Sequence, residues 1–167
     1  MNRTRKLTLC AVLISLALVL SYMERFFPLQ MIVPMPGVKL GLANIVTVFA
    51  VYTMGSKEGA LILAARIFLG AVFAGNFSTI FYSAAGGACA ILVTIGLKRI
   101  LTKNQLWVAG ALGAVAHAVG QMAVAIAMTA TPGLIVYLPV LIVTSIITGL
   151  FTGFCAQLLV KRGKDIG

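Results

Sequence analysis

Met35-Pro36-Gly37-Val38-Lys39-Leu40-Gly41-Leu42-Ala43-Asn44-Ile45 carries a proline-punctuated loop into a hydrophobic helix. Pro28, Pro34 and Pro36 bar a continuous helix before it, since proline lacks the backbone donor and clashes with the preceding turn. A helix beginning here has unpaired N–H groups and a partial positive charge at its start, which attract anions. Lys39 adds a full charge at the same end, and Gly37 and Gly41 allow close approach of backbone or ligand. The same residues also fit a plain loop entering a membrane helix, with the lysine among lipid headgroups.

Composition decides the class. Hydrophobic residues make up 61% and charged residues 10% of the 167 residues, and the mean hydropathy is +1.10. Soluble domains carry about 25% charged residues, so this chain cannot cover a water-facing surface. It reads as a single all-α integral membrane domain over 1–167. The net charge of +10 does not indicate nucleic acid, because the basic residues sit in short clusters between apolar runs, with no aromatic-interleaved basic face. Cys10, Cys89 and Cys155 are far apart inside apolar segments. They lack metal-ligand spacing and read as small packing residues.

Apolar runs and breakers predict six transmembrane helices, over about 7–22, 40–54, 58–74, 78–97, 106–128 and 137–160. The basic start and apolar core of the first could serve a signal peptide, but no small-x-small cleavage site follows, and it reads as a retained helix. The connection over 23–38 is apolar despite its prolines, with Phe26, Phe27, Leu29, Met31, Ile32 and Val33, and is expected to fold back as a lid. Six spans place both termini on one side. Ten of the thirteen basic residues then share that side, Arg25 and Lys39 lie on the other, and Arg66 falls within a span. Basic residues favour the cytoplasm, which predicts cytoplasmic termini in the cell membrane.

The opening stretch, Arg66-Ile67-Phe68-Leu69-Gly70, Gly75 and Ser83-Ala84-Ala85-Gly86-Gly87 together resemble the Gx transporter family over roughly the first 100 residues. That family is often labelled heptaprenyl diphosphate synthase component I and is similar to the substrate-binding S components of energy-coupling factor (ECF) transporters. The resemblance implies an S-component-like six-helix bundle, and as partners a membrane coupling subunit and its ATPases. It also implies that Ala11-x-x-x-Ser15, a small-residue pair on the first helix, contacts the coupling subunit. Serine stands at Ser15 where the family pattern has a second alanine.

Arg66 is the most informative single residue. An arginine within a bilayer costs ~2.5 to over ~10 kcal/mol unless partnered. The chain has three acids, Glu24, Glu58 and Asp165. Glu58 lies eight residues earlier, about 12 Å down the helix. The partner is therefore backbone carbonyls, Asn44 or Gln121, Glu24 folded inward, or an anionic ligand. His117 and Gln121 stand four apart and share a helix face. Asn76, Thr79, Tyr82, Ser83 and Gly86 begin a polar, low-bulk stripe. Each of these also fits ordinary packing between close helices. One histidine and no acidic cluster argue against a metal site.

The residues expected to hold a substrate are Lys39, Asn44, Arg66, Asn76, Tyr82, His117 and Gln121. The substrate is a small anionic or polar-headed, partly apolar compound taken from outside, and no cofactor is expected. No Gly-rich loop ending in Lys-Ser/Thr is present, so ATP hydrolysis must come from another chain. Catalysis of prenyl transfer needs clustered carboxylates for magnesium, which three scattered acids do not supply, so the chain is not expected to be an enzyme. A second reading is a membrane accessory of quinone or prenyl metabolism or of flavin-linked electron transfer.

Overall fold

The computed structural model describes residues 3–26 and 41–162, apart from the side chain of Arg25. Among them run six α-helices: α1 (Arg3–Met23), α2 (Asn44–Thr53), α3 (Ser56–Ala74), α4 (Ser78–Leu97), α5 (Leu106–Thr129) and α6 (Leu138–Arg162). Short 3-10 turns at Glu24–Phe26 and Pro132–Tyr137 follow α1 and precede α6. By length and composition α1, α4, α5 and the unit 132–162 can each cross a membrane. The other two helices differ in kind: α3 carries Lys57, Glu58 and Arg66, and α2 has only 10 residues. Large apolar side chains such as Phe73, Phe81, Leu92 and Phe151 stand exposed around the bundle. Water would not tolerate that surface and lipid would, so the chain is a multi-pass membrane protein.

The helices gather their basic ends together. Lys6 Nζ on α1 lies 2.6 Å from Glu58 Oε1 at the start of α3. Lys98, just beyond α4, donates to the Val51 carbonyl near the end of α2 at 2.6 Å. A cation on the last carbonyls of a helix complements both their unpaired oxygens and the helix dipole. Val51, Leu106 and Val160 share one apolar cluster, which brings the start of α5 and the end of α6 to this same end. A second cluster of Tyr82, Ala118, Met122, Ala125 and Leu141 fills the far end.

Backbone contact sets the tightest seam. Gly110 on α5 meets Gly149 and Gly153 on α6 so closely that a Cβ at Gly110 would lie 2.5 Å from Gly153 Cα. Small residues let membrane helices approach until backbones touch, which supplies the dispersion contact that apolar side chains cannot gain over lipid.

The helix expected over 40–54 begins only at Asn44. Gly41 holds φ +83°, a left-handed conformation that glycine adopts without strain, and its carbonyl accepts the Asn44 N–H at 2.9 Å. The chain therefore turns at 41–43 before helix can start. Gly41 lies against His117, and Asn44 against Gly113, both near the middle of α5. The first turn of α2 is thus buried halfway along the bundle.

Candidate functional site

The buried start of α2 fixes the site. Its cap residue, Ala43, has no side-chain cap of its own. Glu24, in the turn that ends α1, supplies one from a distance: its Oε1 accepts the Ala43 N–H at 3.2 Å. A carboxylate at a helix N-terminus is favoured both by the orphan N–H group and by the dipole. The acid expected to lie in the outer loop has folded inward and is 7% exposed.

Arg66 comes from the middle of α3 to the same place and is also 7% exposed. Glu24 lies within electrostatic reach of its guanidinium. A guanidinium has five N–H donors in a rigid fork. Burying them is costly unless acceptors meet them.

Both charges face a cavity of about 400 Å³, within the range of small-molecule sites. Leu18, Val19, Ile67, Ala71 and Phe73 give it apolar walls, and Thr79, Ser83 and His117 complete its polar side. Tyr22 and Gly41 also line it. It occupies the half of the bundle away from Lys6, Glu58 and Lys98.

The expected site residues divide clearly. Arg66 and His117 line the cavity. Asn44 and Gln121 are buried beside it without lining it. The Asn44 Nδ2 and both polar atoms of Gln121 have no hydrogen-bond partner among the described residues. Asn76 is exposed, and its Oδ1 accepts the Ser78 N–H at 3.0 Å as a local cap for α4. Tyr82 packs in the far apolar cluster. Lys39 and the 27–38 part of the expected lid lie outside the described residues. Ala11 and Ser15 are exposed on α1, with the Ser15 hydroxyl donating to the Ala11 carbonyl at 3.0 Å. Lining residues that were not among those expected to hold a substrate include Glu24, Ser21 and the apolar walls from α1 and α3. Glu24 had a signal, as the one acid near the outer half of the chain facing an arginine without an obvious partner.

Gly86 holds the polar side in place. A Cβ there would lie 2.8 Å from Gln121 Cγ and 2.9 Å from the His117 ring. Gly86→Ala is therefore expected to push His117 off its position and to weaken binding of a cavity ligand roughly tenfold, with a loss of stability of about 1–3 kcal/mol. Equilibrium binding and detergent-phase thermal unfolding, measured on one preparation, check both parts. Unchanged binding would mean that His117 is not a ligand contact.

A family model described as heptaprenyl diphosphate synthase component I matches residues 13–159. No curated protein and no solved structure matches the chain significantly.

Proposed function

Since the chain belongs to the heptaprenyl diphosphate synthase component I family, we propose that members built like it are substrate-capturing membrane subunits, of the kind that serve ECF-type uptake transporters. The observation that carries this reading is the Arg66 guanidinium. It is buried in the wall of a largely apolar cavity, with Glu24 within electrostatic reach and Thr79, Ser83 and His117 as the other polar lining. That environment suits a small compound with a polar head on Arg66 and an apolar body against Leu18, Ile67 and Phe73.

The basic ends of the helices would face the cytoplasm by the positive-inside bias, which turns the cavity half outward. Both termini would then be cytoplasmic and the capture site would load from outside. The exposed Ala11 and Ser15 give α1 a low-relief strip on which a coupling subunit could dock, and its ATPases would supply the energy. The synthase wording of the family description concerns chemistry that requires grouped carboxylates around magnesium. In this chain Glu24 caps α2, Glu58 pairs with Lys6, and Asp165 lies outside the described residues. A non-catalytic role fits that distribution better.

Mass spectrometry of small molecules retained by the detergent-purified protein, with identification of co-purifying chains, tests the proposal. The expected result is a polar-headed, partly apolar compound that Arg66→Met no longer retains, together with a coupling subunit and ATPases. Recovery of a prenyltransferase or flavoprotein partner, with no retained compound, would replace capture with the accessory reading.

A further inference from the structure

The cavity changes character along its length. Arg66 and His117 line it and are buried. About 10 Å further along α3, Phe73 lines the same cavity and is 74% exposed, and Val19 lines it from α1 at 56% exposed. A mouth on water would leave these apolar side chains in the wrong solvent, and a mouth on lipid does not. The inner halves of α1 and α3 are joined by the Lys6–Glu58 ion pair at 2.6 Å and by Leu13, Ala17 and Ile62 in one apolar cluster. Past Ala17 the next α1 residues, Leu18 and Val19, line the cavity instead. Gly70 widens the gap on the α3 side: among the described residues, a Cβ there would meet the Leu18 side chain alone, at 3.8 Å. We propose that the cavity opens sideways to lipid between the outer halves of α1 and α3. Its ligand is then a single-chain amphiphile taken from the bilayer, with the head inside and the hydrocarbon chain lying in that gap. This rests on the capture reading.

The physical reason lies in what holds helices together in lipid. Apolar side chains gain nothing by leaving hydrocarbon for one another, so only close packing or hydrogen bonding closes a seam. Among the described residues α1 packs on α2, α3 and its own terminal turn and reaches none of α4, α5 and α6, although Ser83 and His117 of α4 and α5 line the same cavity. A gap beside α1 therefore costs little as long as a hydrocarbon chain fills it. A polar head, in contrast, is costly in hydrocarbon without partners, and the buried end of the cavity offers them. An amphiphile in the bilayer already has its chain running alongside the helices. It reaches the site by shifting its head inward, without drawing its chain through water.

The experiment uses the full chain in nanodiscs and hexadecanoic acid carrying a photoreactive diazirine at mid-chain, with adducts mapped by mass spectrometry. Phe68 on α3 and Val12 on α1 are similarly exposed and do not line the cavity, so they report ordinary contact with lipid. Adducts at Phe73 and Val19 are expected to exceed those at Phe68 and Val12 severalfold. Gly70→Leu, whose Cβ has room, fills the gap and should lower the excess roughly tenfold, the effect of overpacking by one side chain, with Phe68 and Val12 unchanged. Val19→Trp fills the same gap from α1 if Gly70→Leu does not fold. Equal adducts within each wild-type pair overturn the proposal whatever the variants do, and so does an excess that neither filled variant lowers. Calorimetry with octanoate on the same preparations separates the two readings. If octanoate binds through Arg66 while the pairs stay equal, capture stands and the sideways opening falls. If octanoate does not bind and the pairs stay equal, both fall.

Discussion

Arg66→Met should cost at least about 100-fold in affinity for octanoate, while the thermal midpoint of the empty protein stays level or rises. Two charge-assisted hydrogen bonds to a carboxylate, each worth about 1.5–3 kcal/mol, set the size of the loss. The stability side follows from the cost of taking a guanidinium out of water, which an apolar side chain of similar length avoids. Glu24 would lose a favourable neighbour, but its hydrogen bond to Ala43 persists. Arg66→Lys separates charge from geometry: an ammonium keeps the charge without the planar fork, so it should recover only part of the affinity. Two outcomes would be fatal. If Arg66→Met binds octanoate within about threefold of wild type, the guanidinium does not hold the ligand head. If the variant fails to fold, Arg66 is a structural member of the bundle and the cavity has another purpose.

The largest effect on the fold is expected from Gly110→Val. The Cβ alone would lie 2.5 Å from Gly153 Cα and 2.7 Å from Gly153 N. These are backbone atoms of a facing helix and cannot turn aside. The α5–α6 seam would have to open along its length, and overpacking of this kind costs about 3 kcal/mol or more. Gly96→Ala is the control, since a Cβ there meets nothing within 4 Å, and it should change stability by less than about 1 kcal/mol. Thermal unfolding in one detergent compares the two directly. Equal midpoints would mean that the seam between α5 and α6 is looser than its glycines imply.

Helix positions were largely legible because apolar runs and breakers act locally. The run from Ser78 to Leu97 is bounded by Asn76 on one side and Lys98-Arg99 on the other, and the structure gives α4 those limits. The start of α2 was not legible. Leu40-Gly41-Leu42-Ala43 is as apolar as the helix after it, and only the left-handed φ at Gly41 shows that the chain turns first. At the site, spacing was a partial guide. Thr79 and Ser83 are four apart and both reach the cavity, whereas Tyr82, about 100° round the helix from Ser83, faces the far cluster. Gln121 shares the His117 face yet lies one turn along, sealed beside Gly86. Asn76 was expected among the ligand donors, and the structure places it exposed with its Oδ1 capping α4. Arg66 was singled out from the cost of its placement alone, but that Glu24 folds inward to face it depends on how the end of α1 turns, which no local pattern encodes.

The shortness of α2 bears on how the protein is made. Ten residues reach roughly 15 Å, about half of a hydrocarbon core of ~30 Å. Such a segment does not lodge in a bilayer as an independent unit. The tight turn at Gly55, where φ is +128°, joins it directly to α3, so the two must enter lipid as one hairpin during synthesis. Arg66 lies on the second arm of that hairpin, within electrostatic reach of Glu24 at the end of α1.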